Sequence, residues 1–170
     1  MSTYAPLLSQ LDQMLSNIDR WLTRAEEHAA DRKFDVAILL QARLAPDQFP
    51  LVRQVQAVCD AAKFLGARLT GKEAPKNPDA ETTVAQVRER IAGTRAWLST
   101  LTEADFEGAE TRQVTLAFAP GKYVLGADYL RQMALPNFYF HAATAYAILR
   151  HNGVTLGKVD FLGAITLHDA

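Results

Sequence analysis

His141 is the side chain best placed to do chemistry. It sits inside PNFYFHAATAYAILRHNG, residues 136–153, a stretch that otherwise reads as a core helix rich in aromatic residues. An imidazole there has three readings: a core-side ring hydrogen-bonded to a neighbouring helix, a contact for a small molecule or metal, or a surface position. On a helix Asn137, His141, Thr144 and Ala145 share one face at spacings of three and four. Asn137 also follows Pro136, where a side chain that satisfies free amides is at home.

Metal patterns with recognisable spacing are absent. His141 and His151 lie ten residues apart, about 15 Å and about 80° around a helix, so they cannot share one ion. No His-x-x-x-His, Glu-x-x-His or His-Glu-x-x-His occurs. Covalent catalysis has little support either, because Cys59 falls on an apolar stripe and no Gly-x-Ser-x-Gly elbow is present. The paired carboxylates Glu26-Glu27 and Glu103-Asp105 fall at helix ends, where solvation explains them, and Gly121 and Gly126 fit no phosphate-binding loop. His28, near the end of the first helix, is placed to meet its terminal carbonyls.

The elements that must position these groups follow from apolar spacing. Leu7, Leu8, Leu11, Met14, Leu15, Ile18, Trp21 and Leu22 make one buried stripe opposite Gln10, Asp12, Gln13, Asn17, Asp19, Arg20 and Arg24, and the helix they define should end near residues 28–30. Residues 31–45 read as a packed loop around the run Val36 to Leu40. A second helix is expected from about Asp47 to a stop at Gly71, followed by a surface linker, GKEAPKNPDAET. A third fits Glu81 to Leu101, with Arg88, Glu89, Arg90 and Arg95 outside its apolar face. Residues 114–125 read as a hairpin turning at Pro120-Gly121 in a type II turn, packed against the helices.

The last helical region is expected in two parts, a turn or two over Asp128 to Leu135 and a long helix from Asn137 to His151, because Pro136 removes a hydrogen bond and disfavours an α conformation at Leu135. Gly153 ends it, and the tail should wrap the surface with Phe161 and Leu162 tucked in. Phe138, Tyr139, Phe140 and Tyr146 cover most of the helix circumference, so part of that aromatic surface needs the hairpin, the tail or a second subunit to bury it. Four amphipathic helices bury their faces most simply on one another, which predicts an all-α four-helix bundle with a small hairpin between the third and fourth helices.

Composition bounds the partners. At 170 residues the chain fits one domain, 1–170, since domains cluster near ~100–150 residues. Lys and Arg number 18 against 19 Asp and Glu, with the basic residues scattered, so the footprint needed for nucleic acid is missing. One cysteine precludes an internal disulfide and suits a reducing compartment. With no apolar span and no signal-like N-terminus, a cytoplasmic protein away from the membrane is expected.

The segments LPNFYFHAATAYAILRHNGV, DFLG and FPLVRQVQ give the chain a resemblance, over nearly its whole length, to a bacterial branch of the DinB/YfiT-like superfamily of unassigned function. That resemblance implies a DinB-like bundle, often dimeric, in which many members hold a divalent metal with one histidine from the second helix and a His-x-x-x-His pair from the last. Some members are thiol-dependent transferases or isomerases. The shared ending Leu149, Arg150 and Gly153 places the pair over Asn137 and His141, with Gln54 standing for the histidine of the second helix. Asn, Gln and one His make a weak donor set, so the expectation is a homodimer whose pocket, built from Gln54, Asn137, His141 and Tyr146, binds a small ligand or loosely holds zinc, nickel or manganese, with no tightly bound cofactor. The alternatives are a metal-dependent thiol transferase or isomerase, and a structural dimer with a vestigial site.

Overall fold

The computed structural model describes residues 4–168, so the first three and last two residues of the expected 1–170 unit lie outside the described residues. Its frame is four long helices, α1 (Tyr4–Arg32), α3 (Leu51–Thr70), α4 (Val84–Leu98) and α6 (Leu135–His151), with the short helices α2 (Ala37–Gln41), α5 (Gly126–Tyr129) and α7 (Lys158–Leu162) between and after them. Two three-residue strands, β1 (Gln113–Thr115) and β2 (Tyr123–Leu125), pair antiparallel with Val114 opposite Val124. The four-helix bundle with a hairpin ahead of the last long helix is thus the observed fold. Its core is one contiguous cluster in which Leu11, Leu15, Ile18, Val55, Leu65, Ile91, Phe138 and Ile148 are buried.

Element ends depart from expectation for identifiable reasons. The expected packed loop at 31–45 contains α2, because the Asp35 carboxylate accepts the Ala37 amide (2.8 Å) and starts a turn that buries Leu39 and Leu40. α3 begins at Leu51 rather than near Asp47, since Pro50 disfavours an α conformation at Phe49 and leaves Asp47 in a separate turn. α4 starts at Val84, where Thr83 and Gln86 form a reciprocal capping box, and stops at Leu98. At the hairpin, the Lys122 amide donates to the Ala119 carbonyl (3.1 Å) across Pro120-Gly121, with Gly121 at φ 75°, as a type II turn requires.

Pro136 does not break the last helix. Residues 126–151 are continuously helical because Leu130–Ala134 form a π-turn, in which the Leu135 amide reaches back to the Leu130 carbonyl, and Leu135 stays in the α region. The wider turn absorbs the missing amide of Pro136. Asn137 accordingly lies within α6 and makes no amide-capping bond.

The tail is held on α1 by a side chain that reads as solvent-facing in sequence. Asn17 is fully buried and donates to the Phe161 carbonyl (2.7 Å), while Trp21 Nε1 donates to the Asp160 carbonyl (2.9 Å). Phe161 stacks on Trp21, whereas Leu162 points outward, nearly half exposed. His28 packs edge-on against Phe34, and α1 runs on past it to Arg32 rather than ending near residues 28–30.

Candidate functional site

α3 and α6 lie side by side, and their contact brings two of the four expected site residues together. His141 Nδ1 lies 2.7 Å from Gln54 Oε1, and Gln54 Nε2 donates to the Phe49 carbonyl at 3.0 Å. The Phe49 bond fixes which end of the amide faces the histidine. An amide oxygen only accepts, so the imidazole carries its proton on Nδ1 and keeps its free lone pair on Nε2. Gln54 is itself buried, at 1% exposure, so its amide oxygen has little solvent to turn to instead of the ring.

His141 is half-buried on a side that also carries Phe140, whose ring meets the imidazole edge-on at 5.1 Å, and the Arg53 guanidinium. Burial first, and then the positive charge of Arg53, pull its pKa below the ordinary 6.5. The ring is neutral at physiological pH, an acceptor rather than a cation. Because the unfolded chain takes up this proton first, the stabilisation from the neutral ring is present above about pH 6.5 and declines as pH falls below that value. An NMR titration of the ring protons should give a midpoint below 6.5, moving up when Arg53 is replaced by Met; a midpoint above 6.5 would contradict this environment.

Asn137, one turn before His141, is exposed and lines a cleft of about 220 Å³ between α3 and the π-turn, with Arg53 beside it. Tyr146 is not part of this group. It points toward α1, its ring edge-on to Trp21 (5.5 Å) and to Phe161 (5.7 Å). Arg53, next to Gln54 in the chain, carries no signal in the sequence that marks it as a neighbour of the imidazole.

The donor set does not suit a tightly held metal. Both ends of the Gln54 amide are occupied, His141 offers one nitrogen, and Arg53 places a positive charge beside it. Among the described residues no three His, Cys, Asp or Glu side chains converge on a possible ion position. Cys59 is no nucleophile: burial pushes its thiol up to about 12, against the pull of Thr94 and Arg90. No helix of the described residues is long and apolar enough to cross a membrane.

Residues 3–162 match the family model described as Domain of unknown function (DUF1993). A crystal structure of a DinB family member protein from Shewanella denitrificans is 47% identical and superposes with a TM-score of 0.93, the match covering 96% of this chain and 93% of that one. No curated protein matches the chain.

Proposed function

The chain belongs to the DUF1993 family and is DinB-like, and from that premise we propose that it is a binding protein whose site, built on Gln54, Asn137 and His141, takes a small molecule carrying a hydrogen-bond donor. The observation that supports this most directly is the orientation of the imidazole. Gln54 holds the Nδ1 proton, so Nε2 is a neutral acceptor with no protein partner among the described residues. The Asn137 amide adds a donor and an acceptor nearby, and burial first, with the charge of Arg53 second, favours the unprotonated ring. A divalent ion at this place would be held only loosely, by one imidazole and solvent. A thiol-transferase reading needs an ion that these donors do not secure. A homodimer is part of the same proposal, supported by the exposed Phe140 and Phe49 near the site.

The test pairs a ligand-observed NMR screen of small alcohols, phenols and thiols with calorimetric titration of zinc, nickel and manganese, on the native chain and on His141→Ala. The expected result is hits that vanish in the variant, weak or no metal heat, and a light-scattering mass of two chains. Hits indifferent to His141 would remove it from the site. Stoichiometric metal in the native protein that is lost in His141→Ala would restore the metal-enzyme reading.

A further inference from the structure

The cleft that begins at Asn137 and Arg53 ends, along α3, at Arg68, and its charges are unevenly matched. Arg53 donates to the Asp79 carboxylate (2.7 Å) and to Gln56 Oε1 (2.8 Å). Asp60, in the cleft wall, is paired through one oxygen with Arg90 (2.8 Å) and Lys63 (2.9 Å). Arg68 has no carboxylate partner among the described residues. Its guanidinium lies 5.0 Å from the Phe64 ring centroid and 5.3 Å from that of Tyr129, and Nη1 donates to Tyr129 Oη (3.0 Å).

That arrangement has the chemistry an oxyanion needs. Two aromatic faces and a phenol oxygen hold the guanidinium in one plane, so the donors not used by Tyr129 are oriented in advance, and a fork of N–H groups matches a carboxylate at two points. Burial raises the pKa of Tyr129 while Arg68 works against it, with a net upward shift. The phenol therefore stays protonated and keeps its own O–H to donate. Phe64, Met133 and Ala134 give the cleft an apolar wall.

We propose that this cleft binds a small monocarboxylate with an apolar body, its carboxylate on Arg68 and Tyr129 and its body against Phe64 and Met133. The size fits: about 220 Å³ is room for roughly seven waters at ~30 Å³ each, a short aliphatic or single-ring acid. The charge fits as well, since one uncompensated guanidinium balances one carboxylate, whereas a phosphate dianion would bring a second charge toward Asp60. The inference concerns the far end of the cleft from His141 and stands even if the imidazole proves inert.

The experiment is a backbone amide NMR titration of the full chain with sodium benzoate and sodium butyrate, with benzamide and inorganic phosphate as comparisons. The expected result is saturable shifts confined to residues around Arg68, Tyr129 and Met133, weakened by salt and absent with benzamide. Arg68→Met should weaken benzoate binding about tenfold or more, and Arg68→Lys should fall between, because charge remains while the fork is lost. Circular dichroism should show both variants folded, as Arg68 makes no ion pair among the described residues. Arg24→Met, at an exposed arginine outside the cleft, should bind benzoate as the native chain does, which ties the loss to Arg68 rather than to surface charge in general. No saturable shift, equal binding by Arg68→Met, or phosphate binding more tightly than benzoate would each overturn the proposal.

Discussion

Replacing Arg90 with Leu is expected to lower the unfolding free energy by about 3–5 kcal/mol, the range for breaking a buried ion pair by removing one partner. The Arg90 side chain is 2% exposed and sits at the centre of three carboxylates: Nη1 donates to Asp79 (2.6 Å) and Glu81 (3.0 Å), and Nη2 to Asp60 (2.8 Å). Buried Gln56 bridges the same cluster, accepting from Arg53 and donating to Glu81 (2.6 Å). Asp79 and Glu81 belong to the irregular segment 71–83, so the network straps that segment onto α3 and α4. Leucine fills part of the space but leaves three carboxylates facing one another. Their partial exposure lets them rehydrate, and Arg90 Nε is buried without a partner, so the network is not fully satisfied; both points favour the lower end of the range.

Two readouts check this. Urea unfolding gives the energy, and limited proteolysis should cut the variant within residues 72–83 at a protease level the native chain resists. The acid limb of stability adds a signature of the charges themselves. Burial pushes the Asp79 and Glu81 carboxyls up, but hydrogen bonds from Arg53 to Asp79 and from Arg90 to both outweigh it, so both titrate below their ordinary values of 3.8 and 4.5. The stability they contribute is present above those values and is lost as pH falls through the depressed native ones. Arg90→Leu should flatten that loss. A variant within about 1 kcal/mol of the native chain, no worse than an ordinary surface substitution, would mean that the strap contributes little.

Arg90 also marks where the sequence stops being legible. The stripes of α1, α3 and α4 and the turn at Pro120-Gly121 are local signals with a local cause, and they locate the bundle. An arginine flanked by Arg88 and Glu89 reads as solvent-facing by the same rules. Its burial depends on Asp60, 30 residues away on another helix, and on two acids in a segment whose composition reads as free linker. Asn17 is a second case: its position on the polar face of α1, opposite the stripe, becomes interior only because a tail 144 residues further on covers it. Pro136 misleads in the opposite direction, since a proline rule applied to an α-helix does not anticipate a π-turn that makes room for the ring.

The site shows the same division. Gln54 meets His141 where a resemblance placed it, because helix register carries over between related bundles once a shared ending is aligned. The tautomer, which decides what the imidazole can do, depends on the Phe49 carbonyl, a backbone atom that no side-chain pattern reports. Tyr146 fails for a geometric reason: five residues on from His141 is about 140° around the helix, which turns it to α1.

Gly126→Ala should cost about 3 kcal/mol, the upper end of what overpacking takes, although alanine suits a helix start better than glycine does. Gly126 opens α5 where the hairpin returns to the bundle, and its backbone conformation is one any residue adopts. The obstacle is proximity. A Cβ there would run into the Ala109 carbonyl oxygen and lie 3.0 Å from Leu69 Cδ2. Neither neighbour is free to yield, because the Gly126 amide donates to the Arg112 carbonyl (2.8 Å), the Ala127 amide to the Glu110 carbonyl (3.0 Å), and Arg112 Nε to the Leu69 carbonyl (3.0 Å). Relief requires the hairpin base to move off the end of α3. Gly121→Ala is the informative comparison: its φ of 75° imposes strain of about 1–2 kcal/mol on an L-residue, but nothing lies within 4 Å of the added methyl. Thermal unfolding should therefore rank Gly126→Ala well below Gly121→Ala, and Gly121→Ala below the native chain. The reverse order would show that the hairpin is anchored by its turn rather than by its close approach to Ala109.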